Sequence, residues 1–424
     1  MVRVRIRYLA ATTALLVTVA CRREAPERSQ HGPYADRVAE DVPLIEKSVG
    51  VPFKRPPKLE VKSRDQVRAF VLSQLEDSTT QRELAGKETA YKALGLIPDT
   101  MNVRKLFVDL LTEQILGIYD PKTKVLYVMN GAPDEIVSIT IYHELVHALQ
   151  DQYINLDSLQ RQTGDDDRVL AAQSVIEGEA TYEQMVWTLG GRSKIDVATR
   201  MPGGQERMRD MIRESQASPI FSAAPMVIQE ELLFPYINGQ DFVARLKERQ
   251  PGTLPFRAMP QSTEQVMHDR AYFSSPRDMP VRVTLPTLPN QIYTNTLGEF
   301  DTRLFLFEHL QDQQVASQGA IGWGGDRYTV VRTSNGVGLA WVTVWDTPVD
   351  AAEFVDALGQ ATQKRYRVTG PTLGGGGSRT YSGRGRTVVI TPREIGGKNA
   401  VLVVDVPSGV SPQLLDLGRV TIGG

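Results

Sequence analysis

The chain has 424 residues, with 48 Lys and Arg against 50 Asp and Glu, so its formal net charge at pH 7 is −2. This balance argues against nucleic acid as a partner, because nucleic-acid-binding domains are commonly basic. With 41% hydrophobic residues the chain can bury substantial cores, and its length predicts two domains.

The first 20 residues have the layout of an export signal. Arg3, Arg5 and Arg7 form a basic start, and residues 8–20 are mostly apolar and small. This apolar run is too short for a convincing membrane span, and no later segment has the long apolar run of a transmembrane helix. We therefore predict a signal peptide over residues 1–20, and its removal would change the net charge to −5.

The single cysteine, Cys21, follows this segment directly. A lone cysteine in an exported chain cannot form an internal disulfide, so lipidation explains it better. Residues 18–21, Thr-Val-Ala-Cys, resemble a bacterial lipobox, although Thr18 stands where the pattern usually has Leu. We predict a lipidated Cys21 with a polar tether, together residues 21–40, and a lipoprotein anchored in the cell-envelope membrane. The alternative is an incidental cysteine at the end of a signal.

Residues 41–310 are chiefly helical in pattern and form the predicted catalytic domain. Two short β-favouring runs, 115–119 and 124–129, flank Asp-Pro-Lys-Thr at 120–123 and predict a hairpin. A helix is predicted to start near Pro133, with acidic residues in its first turn.

This helix carries His143-Glu144-Leu145-Val146-His147. The spacing puts two imidazoles one turn apart on one face, where both can bind one Zn²⁺, beside a carboxylate that can polarise a water molecule. The alternative is an ordinary helix with two partly exposed histidines. A catalytic zinc takes three protein ligands, so a second element must supply the third. A metal-assisted hydrolase is the leading interpretation.

A second helix is predicted over residues 168–189, ending at Gly190-Gly191. Packed antiparallel to the first, it could direct Glu177 at the metal. Glu179 is the rival ligand, because residues two apart lie about 200° apart around a helix and cannot both point inward. Gly178 between them costs about 1 kcal/mol relative to Ala, which predicts a close approach of the two helices near the ion.

The two segments at 143–152 (HELVHALQDQ) and 175–181 (VIEGEAT) resemble the zincin superfamily, in its gluzincin arrangement. More narrowly, the chain is similar to a group of bacterial and archaeal metallopeptidases with little biochemical description. The similarity extends to the segments QILGIYDP, LFPY, STEQVMH and GWGGDRY, at 114–121, 233–236, 262–268 and 322–328.

The resemblance implies a mainly helical zincin-like domain in which His143, His147 and Glu177 bind Zn²⁺. Glu144 would act as general base on a water activated by the metal, and the substrate would be a protein or peptide. The hairpin would hold an extended substrate by strand addition, which requires an exposed edge, or would serve only as scaffold.

Several further residues are candidates for supporting roles. A donor to the tetrahedral oxyanion is expected from Tyr182, His268 or Tyr272, and we take His268 as the second catalytic residue, against a hydrogen-bonded structural role. Asp151 either supports the metal ligands or is a solvated charge. The two other histidines, His31 and His309, are interpreted as structural or surface residues.

Residues 311–424 change in composition and contain no histidine or cysteine. The order strand, strand, helix, strand, strand predicts a small α+β module with an antiparallel sheet covered by a helix. Structural support is the favoured role for it, over substrate presentation. The fold class is therefore α+β throughout.

Two functional classes remain open at this point. One is a zinc metallopeptidase of the cell envelope. The other is a non-catalytic envelope lipoprotein that keeps a zincin fold and binds a partner. Glu144 favours the enzyme, since binding alone does not need it.

Overall fold

The structure, a computed structural model, describes residues 33–159 and 162–423. The predicted signal peptide, Cys21 and His31 lie outside these residues. The helices are α1 Ala35–Val49, α2 Arg64–Leu75, α3 Ser78–Leu94, α4 Val103–Gln114, α5 Asp134–Tyr153, α6 Leu156–Leu159, α7 Asp166–Leu189, α8 Arg192–Arg200, α9 Gly204–Gln216, α10 Pro219–Ala223, α11 Met226–Arg249, α12 Thr263–Met267, α13 Asp269–Phe273, α14 Gly298–Leu310, α15 Gln313–Gln318 and α16 Pro348–Tyr366. The strands are β1 Lys58–Lys62, β2 Gly117–Asp120, β3 Val125–Met129, β4 Arg282–Thr284, β5 Gln291–Asn295, β6 Trp323–Thr333, β7 Gly336–Trp345, β8 Thr372–Leu373, β9 Arg379–Gly383, β10 Arg386–Ile395, β11 Lys398–Pro407 and β12 Thr421–Gly423. The mixed, mainly helical α+β class is confirmed.

The last residues of the predicted tether, 35–40, are helical. Helix α1 begins at Ala35, and its Ile45 and Val49 are buried in the same apolar cluster as α5. The Arg37 guanidinium pairs with Asp41 one turn later, at 2.9 Å. The polar composition of this stretch concealed the helix, because only its inner face is apolar.

A small sheet supports the helix that carries the two histidines. Strands β2 and β3 form the predicted hairpin, which is thus confirmed, and β1 adds a parallel strand to β3 to give the order β1-β3-β2. Leu126 and Val128 of β3 pack in one buried cluster with Ile141 and Leu145 of α5. The sheet therefore fixes α5 from one side.

Helix α7 lies against α5 on one side and against α11 on another. The α5 and α7 pair is antiparallel as predicted, since Tyr142 stacks on Trp187 while Gln150 bonds to the Ile176 carbonyl. Gly178 marks a close approach, but its partner is α11 and not α5. A Cβ at Gly178 would lie 2.2 Å from the carbonyl carbon of Gly239. The two backbones therefore touch at this crossing.

The C-terminal part is an antiparallel sheet of order β5-β6-β7-β11-β10-β9-β8, on which α16 packs. The predicted helix over residues 348–366 is confirmed. Contacts cross the predicted boundary between residues 310 and 311, because β5 pairs with β6, and Phe305 of α14 packs against Trp341 of the sheet. Within the described residues, no helix is long and apolar enough to cross a membrane.

Candidate metal centre

Three side chains from α5 and α7 converge on one point. Nε2 of His143 lies 3.4 Å and Nε2 of His147 lies 3.3 Å from the same oxygen of Glu177, Oε2. His143 is fully buried and His147 is 5% exposed, which rules out the alternative of two partly exposed histidines. The ligand atoms of the three residues all lie within 4.8 Å of one another. Two imidazoles and one carboxylate are the donor set of a catalytic zinc with an open position.

A glutamine orients each imidazole from its Nδ1 side. Gln184 Oε1 lies 3.0 Å from Nδ1 of His143, and Gln150 Oε1 lies 2.9 Å from Nδ1 of His147. The amide nitrogen of Gln150 donates to the Ile176 carbonyl, so its oxygen must face the histidine. In the neutral ring Nδ1 therefore carries the proton, and Nε2 keeps its lone pair for a metal. Neither glutamine was predicted, although both fall on the same helical faces as the ligands.

Glu144 is held beside this cluster by the hairpin. The backbone N–H of Tyr119 on β2 donates to Glu144 Oε2 at 2.7 Å, while Oε1 is buried and has no hydrogen-bond partner. Gly117 on the same strand permits this approach, because a Cβ there would lie 2.4 Å from a methyl group of Thr140. Burial raises the pKa of Glu144 above its usual range, against the opposing effect of His147 and His143. A half-satisfied buried carboxylate of this kind is suited to exchange a proton.

The charges of the cluster fit a bound cation. Burial would raise the pKa of Glu177, but His147 and His143 outweigh it and lower that pKa to about 2. Burial likewise would lower the pKa of His147, but Glu177 raises it to about 9. The buried carboxylate of Glu177 thus favours a proton on the imidazole of His147. A bound metal cation would replace that proton. Nε2 of His147 is buried and faces Glu177 Oε2 at 3.3 Å, which places both atoms where one ion could bind them.

The rival ligand, Glu179, points away from the histidines. Its Oε2 accepts a hydrogen bond from Gln150 at 3.0 Å, and Lys247 Nζ lies 3.7 Å from Oε1. Burial raises the pKa of Glu179 to about 7, and Lys247 opposes that rise. Between the two alternatives the structure brings Glu177 to the cluster and places Glu179 behind Gln150.

Tyr236 of α11 is a site residue that the sequence did not reveal. Its ring lies 6.5 Å from that of His143, at an interplanar angle of 29°, and its phenol is close enough to Glu177 to feel the charge of that carboxylate. Burial, with the charges of Glu177 and Glu144, raises the pKa of the phenol well above its ordinary value. The sequence around Phe234-Pro235-Tyr236 does not indicate this role, because aromatic side chains beside a proline are typical of a buried core.

The three predicted oxyanion donors have other partners. His268 lies 2.8 Å from Glu299 of α14 through Nε2. The Tyr272 hydroxyl donates to the Ala258 carbonyl. The ring of Tyr182 lies below the cations of Arg192 and Lys247, at 5.7 and 5.6 Å. The structure thus does not bring these side chains into the cluster of His143, His147 and Glu177.

Asp151 and His309 are both tied into the fold. Asp151 accepts hydrogen bonds from the Tyr119 hydroxyl at 2.7 Å and from Lys124 Nζ at 2.6 Å, so it is neither a solvated charge nor a direct partner of a ligand. It fastens the hairpin to α5. His309 lies 2.9 Å from the Leu94 carbonyl, as expected for a structural residue, and burial lowers its pKa to about 4.

The structure favours a scaffold role for the hairpin over the binding of an extended substrate by strand addition. β2 is the edge of its sheet, but all of its residues are buried, and the N–H of Tyr119 is already bonded to Glu144. The observed task of this strand is to hold the carboxylate of Glu144 in place.

Comparison with known proteins finds a match in the C-terminal part of the chain. A family model described as a domain of unknown function (DUF8575) matches residues 286–408, which include β5 through β11. No curated protein matches, and no solved structure matches. The matched segment lies outside the histidine and glutamate cluster, and it begins before β5, in agreement with the extent of the C-terminal sheet.

Proposed function

We propose that the protein is a zinc metallopeptidase that hydrolyses peptide bonds. The observation that carries this proposal is the convergence of His143 Nε2, His147 Nε2 and Glu177 Oε2, with the half-satisfied carboxylate of Glu144 beside them. His143, His147 and Glu177 would hold the metal. Bound zinc would supply Lewis acidity and lower the pKa of a water molecule toward neutrality.

The protein groups then have separate tasks. Glu144 Oε1 accepts the proton of the attacking water, while the Tyr119 N–H holds Oε2 in place. The proton later passes from Glu144 to the leaving amine. The phenol of Tyr236, which stays protonated because its pKa is raised, donates a hydrogen bond to the developing oxyanion. Tyr236 takes this role in place of Tyr182, His268 and Tyr272.

The place of action is also a proposal. Residues 1–20 and Cys21 support export and attachment to the cell-envelope membrane by a lipid, with a protein or peptide as substrate. A carboxylate poised as general base supports an enzyme over a partner-binding lipoprotein.

Glu177→Ala is expected to lower the zinc content of the purified protein from about one ion per chain to less than about a tenth, because it removes one of three ligands. Glu179→Ala is expected to keep its zinc, since Glu179 contacts Gln150 and not the histidine Nε2 atoms. Elemental mass spectrometry after zinc reconstitution measures both. Zinc lost only in Glu179→Ala would transfer the ligand role, and wild type without zinc would leave the partner-binding lipoprotein as the better account.

Tyr236→Phe is expected to lower kcat for peptide cleavage by about 10- to 100-fold with little change in KM, because it removes a hydrogen bond to the oxyanion. Initial rates on a cleaved peptide, with the zinc content measured in parallel, test this. The matched control is Tyr272→Phe, whose hydroxyl is bonded to the Ala258 carbonyl. A larger loss in His268→Ala than in Tyr236→Phe would return the donor role to His268.

A further inference from the structure

A second group of acidic side chains lies where the helical part meets the C-terminal sheet. Carboxylate oxygens of Glu264, Asp278 and Asp346 lie within 4.8 Å of one another. Glu264 belongs to α12, Asp278 to the loop before β4, and Asp346 follows β7 directly. Three separate chain segments thus present like charges to one point, an arrangement that is unfavourable unless a cation or protons compensate it.

Glu264 is the most informative member of this group. The residue is 5% exposed, and its carboxylate makes no hydrogen bond or ion pair with the described residues. A largely buried carboxylate without a hydrogen-bond partner is unfavourable as an anion, so such groups normally coordinate a metal, pair with a cation or become neutral. Its oxygens face Asp278 and Asp346, which reach solvent.

Glu299, in the first turn of α14, adds a second observation. Its Oε1 pairs with His268, while Oε2 is buried and has no partner. The N–H of its neighbour Phe300 donates to Thr263 Oγ1 at 3.2 Å, which places the start of α14 beside α12, and the charge of Glu299 raises the pKa of both Glu264 and Asp346. Burial, then Glu299 and Asp278, raise the pKa of Glu264 to about 10, as expected for a carboxylate that faces like charges.

The backbones that carry these carboxylates are anchored. Gln265 donates from its amide nitrogen to the Asp278 carbonyl, and the Asp278 N–H donates to the Ala271 carbonyl at 3.0 Å. The Asp346 N–H donates to the Gly322 carbonyl at 2.9 Å. The carboxylates are therefore held together by contacts that do not depend on their own charges, as in a preformed site.

We propose that Glu264, Asp278 and Asp346 bind a calcium ion, with Glu299 beside them, and that this ion fastens the C-terminal sheet to the helical part. An all-oxygen set selects a hard cation. Two oxygens at about 2.4 Å from one Ca²⁺ lie at most about 4.8 Å apart, and the two solvent-reaching residues leave room for water ligands. Mg²⁺ requires shorter bonds and stricter octahedral geometry, which residues from three segments meet less readily.

Calcium titration of the zinc-saturated full chain tests this site apart from the zinc centre. Isothermal titration calorimetry is expected to show one Ca²⁺ per chain, and saturating Ca²⁺ to raise Tm by about 3 °C or more. Asp346→Asn and Asp278→Asn are each expected to weaken Ca²⁺ binding at least about tenfold. Without Ca²⁺ the two variants should be as stable as the wild type or more so, because each removes one repelling charge.

Glu394→Gln is the matched control, since it removes one negative charge from an exposed position on β10 of the same sheet. It should bind Ca²⁺ like the wild type. No Ca²⁺ binding by the wild type, or unchanged binding in both Asn variants, would overturn the site. An equal Tm shift with Mg²⁺ at the same concentration would overturn its assignment to calcium.

Discussion

Glu144→Gln is expected to lower kcat for peptide hydrolysis by about 10³-fold while the zinc content stays that of the wild type. The amide keeps the shape of the side chain, and its oxygen can still accept the hydrogen bond from the Tyr119 N–H. It cannot take a proton from the attacking water, and general base catalysis typically contributes about 10²- to 10⁴-fold. Because Glu144 is not a ligand in the proposal, metal binding and catalysis should separate in this variant.

Glu135→Gln provides the control on the same helix. Glu135 is exposed in the first turn of α5, and its loss should change kcat less than about twofold. Rates are measured on a peptide from a library screened with the zinc-loaded wild type. Full activity of Glu144→Gln would exclude Glu144 as the base, and a parallel loss of zinc would mean that its role is structural.

Gly178→Ala is expected to destabilise the protein by about 3 kcal/mol, although Ala is normally favoured over Gly in a helix by about 1 kcal/mol. A Cβ there would meet the Gly239 carbonyl carbon at 2.2 Å and its oxygen at 2.4 Å, and backbone atoms cannot rotate away. Helices α7 and α11 must therefore separate. Glu177 belongs to α7 and Tyr236 to α11, so separating the helices would move these two side chains apart. The folded fraction of the variant should therefore also lose activity. Urea unfolding followed by circular dichroism gives the change in stability.

Gly370→Ala is the comparison for this test, because a Cβ there would have nothing within 4 Å. Its free energy of unfolding should change by less than about 0.5 kcal/mol. Gly239→Ala meets the Ser174 carbonyl oxygen at 2.1 Å and should cost as much as Gly178→Ala. The double variant should be destabilised by less than the sum of the two single variants, because helices that the first methyl group has already separated leave room for the second. A stable Gly178→Ala would show that the crossing is looser than the structure indicates.

The two ligand-bearing helices could be predicted because their signals are local. α5 begins after Pro133 with acids in its first turn, and α7 ends at Leu189, followed by Gly190, whose φ of 77° is the left-handed geometry that favours glycine. The spacing of His143 and His147 on one turn is likewise a property of a single helix. The two helices and the spacing of the histidines could therefore be predicted, because each depends only on about 20 consecutive residues.

The rest of the site depends on contacts between distant segments. Tyr236 reaches Glu177 only because Gly178 and Gly239 allow two helices to touch. The choice between Glu177 and Glu179 needed the rotation of α7 about its axis, which sequence leaves open. His268 was selected for its polar surroundings, but its partner is Glu299, which lies 31 residues away.

One cluster of buried apolar side chains runs from α3 and α11 through α14 into the C-terminal sheet. Leu94, Phe305 and Trp341 belong to it, and Arg365 of α16 donates to the Ala93 carbonyl at the end of α3. A core shared in this way means that each part buries its apolar face against the other. The helical part and the sheet are therefore not interchangeable modules. A chimera in which one part came from another protein would have to keep the apolar side chains that pack against the remaining part.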